Sequence, residues 1–426
     1  MTTQHERAAS LMKILPIVQA ERAAAHLTEA DVATLRDLVA AGTPANTRRA
    51  LTNDLAYLEA WSRAVTGQPL AWPPTEADGL RFVAHHLFRA STKADAEAEG
   101  RGDQYGMPNA VQSALREAGF LRGRLPHSPS TVTRRLSSWR TIAGQRGYEE
   151  VLKTPALRQA LSKGRKASEH EPGRHSPTAI TRNVLDRMLT GEAGRGLSDA
   201  DLARLPDGPN ADPQLLDLRE LRDRTLLLVA FASGGRRRSE LGTLLIEKVV
   251  RQREDGAVAG RFWQDGEPPT MWWEGQGEPA PSDLTALLIA IGRTKTTDAQ
   301  KGTRLVLTGR AASYLTEWLT RLGRKREPIT DGPIFRAISR WGTVQEAAFG
   351  GSGVYDVVKA RAAAAGFDPK AVSPHGLRSG YMTEALLAGV SLPEAMSYSL
   401  HASVNSARRY FDDAERARGK GAKLGG

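Results

Sequence analysis

The stretch SPHGLRSGYMTEALLAGVSLPEAMSYSLHASVNSARRYFDD, Ser373–Asp413, decides how this sequence is read. His375 and Arg378 stand three apart, so they share one face of a helix that opens at Pro374, a residue suited to a first turn. Leu377, Leu386 and Leu387 supply the buried side, and Gly389 ends the helix. Ser391-Leu392-Pro393-Glu394 then opens a short helix with a capping box and a proline in its first turn, running to about Leu400. His401 follows, and Ser403 is placed to cap a further helix that carries Tyr410.

Working outward, SGGRRRSEL, Ser233–Leu241, follows the apolar helix LLLVAFA and is broken from it by Gly234 and Gly235. Arginine is the side chain best matched to a phosphate, because its planar fork donates parallel hydrogen bonds. Lys295 lies in GRTKTTD, at the turn between two expected strands, Leu287–Gly292 and Thr303–Leu307. A lysine there is a proton donor readily tuned by its surroundings. Taken singly, each residue has an ordinary reading: a basic helix start, a solvated hairpin lysine, a hydrogen-bonded histidine, an amphipathic tyrosine. In order, Arg237, Lys295, His375, Arg378, His401 and Tyr410 form a set suited to gripping a phosphodiester and attacking it.

On these residues the chain resembles the tyrosine recombinase, or phage integrase, family. That family carries an Arg in a G-x-R-x-S-E context, a hairpin Lys, H-x-x-R, then a His or Trp, then a Tyr nine residues later. Gly235, Arg237, Ser239 and Glu240 match the first element, with Arg236 and Arg238 as neighbours; Lys295 matches the second, and His375-Gly376-Leu377-Arg378 the third. His401 and Tyr410 are nine apart. One departure is Leu400, where the family usually has Gly.

The resemblance implies a fold that is mainly α with a small antiparallel β-sheet in the C-terminal domain, arranged as a two-domain DNA clamp. It implies that Tyr410 attacks a DNA phosphate to leave a 3′-phosphotyrosine, with Arg237 and Arg378 on the non-bridging oxygens. His375 is then the acid/base partner of the tyrosine, Lys295 the donor to the leaving 5′-oxygen, and His401 a hydrogen-bond partner of the phosphate. No metal or other cofactor is implied. The implied partners are double-stranded DNA and further copies of the chain, a tetramer on two DNA sites. A type IB topoisomerase-like or hairpin-resolving enzyme would use the same residues, and a non-catalytic sequence-specific DNA-binding protein stands as the alternative of another class.

The bulk properties agree with a polyanionic partner. Across 426 residues the formal net charge is +11, and each phosphate neutralised by Lys or Arg releases condensed counterions. The chain has no cysteine, which excludes disulfides, thiolate zinc sites and cysteine nucleophiles. The first residues lack a long apolar run and no stretch approaches a membrane span, so a cytoplasmic, nucleoid-associated protein is expected. The longest apolar run, Leu226–Ala232, suits a buried helix.

Five segments are expected: an N-terminal extension over 1–25, a helical core-binding domain over 26–161, a basic linker over 162–178, a catalytic domain over 179–414 and a tail over 415–426. In the helical domain, Thr28…Asp31 and Thr75…Asp78 read as helix starts. Val32, Leu35, Leu38 and Val39 repeat at helical spacing, as do Leu51, Leu55, Leu58, Trp61 and Val65. A helix over Ser130–Gly144 is expected to expose Arg134, Arg135 and Arg140. The segment SKGRKASEHEPGRHSPT is polar, basic and punctuated by Gly and Pro, hence the linker. Segments 191–213 and 251–281 read as insertions, the second with Trp263, Trp272 and Trp273 packed under a long loop. After Gly309 the pattern is helical throughout.

Overall fold

The computed structural model describes residues 25–43, 45–123, 126–170, 178–253, 256–263, 284–292, 303–323, 328–401, 403–404, 407–408 and 410. Lys295, Trp272 and Trp273 lie outside the described residues, as do most of the N-terminal extension and the whole tail. By its internal contacts the chain divides into two compact units, Met1–Pro172 and Gly173–Gly426.

The described part of the first unit is helical: α1 (Glu29–Gly42), α2 (Ala45–Thr66), α3 (Glu76–His86), α4 (Ala90–Ala98), α5 (Asn109–Glu117), α6 (Pro129–Gln145) and α7 (Pro155–Ala167). The two threonine starts form as expected. Thr28 and Thr75 each accept from the amide of Asp31 or Asp78, whose carboxylate reaches back to the cap backbone. Ser128 and Thr154 cap α6 and α7, each with proline in the first turn. Leu58, Trp61, Phe82, Leu136 and Trp139 are buried in the core, with Phe82 edge-on to Trp61 at 5.1 Å.

Three expectations change here. Leu38 and Val39 are exposed, so the periodic stripe of α1 buries only Val32 fully. Arg135 and Arg140 are partly buried and held by neighbours rather than freely solvated. Arg135 lies over the Tyr57 ring, 3.3 Å from its centroid, and Arg140 donates to the Leu152 carbonyl at 2.7 Å. The segment read as a linker from Ser162 begins as structure: α7 continues to Ala167, with Arg165 and Lys166 complementing the dipole of its last turn. Glu169 then accepts from the Ser91 amide at 2.9 Å, which ties it to the first turn of α4.

The second unit holds α8 (Arg182–Thr190), α9 (Asp199–Arg204), α10 (Leu218–Ala232), α11 (Arg238–Leu241), β1 (Val249–Arg253), β2 (Val258–Arg261), β3 (Leu284–Ala290), β4 (Arg304–Thr308), α12 (Gly309–Gly323), β5 (Arg336–Ile338), β6 (Val344–Ala348), α13 (Gly351–Ala364), α14 (His375–Leu387) and α15 (Leu392–Ser399). The architecture is therefore mainly α with a small antiparallel sheet. Strands β1–β4 form that sheet in the order β2-β1-β3-β4, with Leu287 opposite Leu307 and Ile289 opposite Leu305.

Helix α10 is the axis of this unit. Asp217 caps it by accepting from the amides of Arg219 and Glu220, and Leu226, Leu227, Val229 and Ala230 are wholly buried. Burial on all sides explains why that stretch is a continuous apolar run rather than a stripe. It packs against α12, which brings Tyr314, Leu315 and Trp318 to the same core, and against β4. The segment after α8 is less irregular than an insertion: α9 forms within it, and Arg224 fixes the following turn by donating to the carbonyls of Asp207 and Gly208. The chain after Gly309 is not wholly helical, because β5 and β6 pair as a hairpin, Arg336 with Ala348 and Ile338 with Val344. The alternation there is too short and too exposed to mark a strand in sequence. Trp263 is partly buried against the core.

Candidate active site

The site is assembled where α10 ends. Gly234 and Gly235 follow with φ of +84° and +70°, a region that penalises any side chain. Both also need the missing β-carbon for space. At Gly235 a Cβ would sit 2.1 Å from Cα of Arg378, and at Gly234 one would sit 2.5 Å from the Tyr398 carbonyl oxygen. The double glycine thus lets the arginine loop touch α14 and the end of α15 at once. Helix α14 is pressed close from its other side, where a Cβ on Gly380 would meet the Ile180 carbonyl at 1.8 Å.

The three adjacent arginines part company. Arg236 is buried and committed inward: Nε donates to the Ser233 carbonyl at 2.9 Å and Nη2 to the Tyr398 carbonyl at 2.7 Å. It braces the loop. Arg238 is exposed. Arg237 stands at the start of α11, half-buried, with Nη1 on Glu240 at 2.6 Å. Arg237 and Arg378 line one cleft of about 470 Å³ together with His375, Ser373 and Tyr355. Of the three adjacent arginines, Arg237 is the one whose guanidinium is both paired to Glu240 and half open.

On α14, His375 occupies the first position, exposed, and Arg378 the fourth, buried. Tyr410 is helical and lies with its hydroxyl 2.8 Å from His375 Nε2. The rings of His401 and Tyr410 are 5.8 Å apart, and Arg378 Nε donates to His401 Nε2 at 2.9 Å. Five of the six candidate residues are therefore gathered: Arg237, His375, Arg378, His401 and Tyr410. The sixth, Lys295, falls outside the described residues.

The electrostatics of this cluster are lopsided. Arg236, Arg237 and Arg378 crowd together, with Glu240 the carboxylate paired to the first two. Burial, followed by the charges of Arg237 and Arg236, pushes Arg378 down to about 10. Burial, then Arg378 and Arg237, pushes His401 down to about 4, so its imidazole is neutral near pH 7. Arg378 Nη2 is buried and has no hydrogen-bond partner among the described residues. An anion in the cleft would lessen the repulsion among these cations. The described residues hold no group of three or more His, Asp or Glu side chains placed to bind a metal ion.

Leu400 stands where the resemblance leads one to expect glycine. It adopts φ 51° and ψ 46°, the left-handed conformation a glycine would take, and so ends α15 with a leucine in a glycine's geometry. Two residues carry more weight than their sequence signal. Glu240 was visible only as part of a motif, and Ser399 has no signal beyond standing two before His401.

No protein-family model matches this chain, and no curated protein matches it. Solved structures similar to it include XerA recombinase, at 14% identity and a TM-score of 0.35, covering 98% of this chain and 97% of that one. Another is the Tn1549 transposon integrase in complex with transposon right-end DNA, at 12% identity and a TM-score of 0.47, covering 92% of this chain and 98% of that one. A third is a lambda integrase fragment, a dimer bound to a core site, at 14% identity and a TM-score of 0.34, covering 89% and 93%. These neighbours are a recombinase and two integrases. No helix among the described residues is long and apolar enough to cross a membrane.

Proposed function

We propose that this protein breaks and rejoins DNA as a site-specific tyrosine recombinase or integrase. The observation that carries the reading is the 2.8 Å contact of Tyr410 with His375 beside a cleft that Arg237 and Arg378 line. A phenol is a weak nucleophile until it loses its proton, and His375 Nε2 is within reach to take it. The Tyr410 oxygen then attacks phosphorus, a 3′-phosphotyrosyl bond forms, and the bond to the 5′-oxygen breaks. That oxygen leaves with a proton, the role proposed for Lys295. The two guanidiniums stabilise the charge that grows on the non-bridging oxygens. Reversal with a different 5′-hydroxyl rejoins the strand. Duplex DNA is the proposed substrate, and strand exchange calls for four protomers on two sites.

The test uses a nicked suicide duplex drawn from sequences that the protein enriches out of a random pool. Wild-type protein gives a covalent adduct stable to denaturant, and Tyr410→Phe gives none. An adduct that persists in that variant removes Tyr410 as the nucleophile. Recombination between two enriched sites supports the recombinase; relaxation of any plasmid without a site favours a topoisomerase-like enzyme instead.

A further inference from the structure

Ser399 is the last residue of α15 and is wholly buried. Its hydroxyl donates to the Ala395 carbonyl at 2.7 Å, which commits its single hydrogen. The same oxygen is 2.7 Å from Nδ1 of His401, and toward that atom it acts only as an acceptor. Nδ1 therefore carries the proton. The other side of the ring leads to the same assignment. Nε2 faces Nε of Arg378 at 2.9 Å, and a guanidinium N–H always donates. A proton on Nε2 would set two hydrogens against each other. From both ends the chain of donation runs one way, from Arg378 through His401 and Ser399 to the Ala395 carbonyl.

We infer that Ser399 is a positioning residue: by fixing the Nδ1–H form of His401, it makes His401 an acceptor that holds Arg378, leaving the guanidinium's Nη1 and Nη2 to meet a phosphate. This rests on the reading of Arg378 as a phosphate clamp. It also changes the part given to His401, which in this arrangement orients the clamp and does not itself donate to the phosphate. Nη1 has only a long 3.5 Å contact to the Gly235 carbonyl, and Nη2 has no hydrogen-bond partner among the described residues. The nitrogen that His401 occupies is the one the cleft does not need.

The ring nitrogens of His401 report this directly. Long-range ¹H–¹⁵N spectra of the full chain, with His401 assigned by its loss in His401→Gln, are expected to show a protonated Nδ1 and a bare, hydrogen-bonded Nε2. Ser399→Ala leaves Nδ1–H without its acceptor, and is expected to let the ring turn away from Arg378, mix the two neutral forms and slow adduct formation by on the order of tenfold, the scale of losing a group that orients a histidine. Ser399→Thr, which keeps the hydroxyl, restores both. A wild-type ring protonated at Nε2 overturns the inference, as does a Ser399→Ala protein whose ring and rate are unchanged. If Ser399→Ala does not fold, the wild-type spectrum and the Thr variant still decide. The spectra need no DNA, so a failure of the proposed strand cleavage shows in the adduct assay while the tautomer is read independently.

Discussion

Each unit of this protein holds a tyrosine against a histidine with an arginine beside them, and the two clusters differ in access and in charge. In the first unit Tyr57 meets His86 Nε2 at 2.6 Å, with the Arg135 guanidinium over its ring and His127 stacked on His86. In the second, Tyr410 meets His375 Nε2 at 2.8 Å. The inner cluster is closed. Tyr57 is 1% exposed, and burial pushes it up to about 12, so its proton stays on. His86 donates its other nitrogen to the Phe82 carbonyl and is held neutral by burial. The outer cluster borders a cleft in which buried guanidiniums outnumber the carboxylate paired with them. The same residue types at the same distance thus make a core brace in one place and a candidate site in the other. Access and unbalanced charge separate the two.

The comparison breaks most simply at the hydroxyls. Tyr410→Phe is expected to abolish the adduct and leave the fold intact. Tyr57→Phe is expected to keep the adduct and lower stability by about 1–3 kcal/mol, because His86 Nε2 is left buried without its donor. Denaturant unfolding and the suicide-substrate assay on both variants give the two-by-two result. Lost adduct in the Tyr57 variant at full stability would erase the distinction between the clusters.

Arg236 and Arg237 sharpen it within one loop. Arg237→Ala is expected to reduce adduct formation by roughly 10²–10³-fold, the scale of losing a transition-state donor, with little change in unfolding. Arg236→Met is expected to lower stability by about 2–4 kcal/mol, since the carbonyls of Ser233 and Tyr398 lose their partner and Glu240 one of its cations. Reversed outcomes would move the clamp by one residue.

That pair also marks the limit of what the sequence discloses. Local signals were legible. The threonine caps at Thr28 and Thr75 and Ser391 before α15 act within a turn, so their spacing alone identifies them. The buried run of α10 was legible because burial on every side removes the periodicity. The order of the site residues was legible from the motif. The choice among three consecutive arginines was less secure, because identical neighbours differ only in what the fold places around them. The stripe of α1 misled for a related reason: periodicity says that Leu38 and Val39 share a face, and nothing in it says that the face is covered. The hydrogen-bond direction at Ser399 depends on Arg378, 21 residues away, and no local pattern carries it.

Acid separates the two units by a smaller amount. In the first, burial pushes His127 down to about 4 and His86 well below its usual value, and His85 also falls to about 4. The unfolded chain takes up these protons near pH 6.5, while the folded unit refuses them until far lower. The stabilisation is therefore complete above pH 6.5 and lost as pH falls toward 4. His127 contributes roughly 2–3 kcal/mol of it, with His86 acting in the same direction. His401 is the histidine with such a shift among the described residues of the second unit. Tryptophan fluorescence and hydrogen exchange between pH 7 and pH 4 are expected to show the first unit loosening ahead of the second. His127→Gln should flatten the pH dependence, and an unchanged profile in that variant would assign the acid sensitivity elsewhere.

The smallest expected effect tests the backbone that delivers His401. Leu400 is left-handed at φ 51°, where a β-carbon costs about 1–2 kcal/mol and glycine costs nothing comparable. Leu400→Gly is therefore expected to stabilise the protein by less than about 1 kcal/mol, once the unfolded-state freedom of glycine and the loss of this half-buried side chain are subtracted. Leu400→Val, whose branched side chain fits this region worse, is expected to lose stability and to slow the adduct by displacing His401 from Arg378. Guanidinium unfolding of the three proteins gives the order Gly, Leu, Val. If Gly proves less stable than Leu, the side chain's contacts outweigh the strain. The leucine is then a packed residue of the outer cluster, which would make that end of α15 more like the closed core of the first unit than the open cleft beside it.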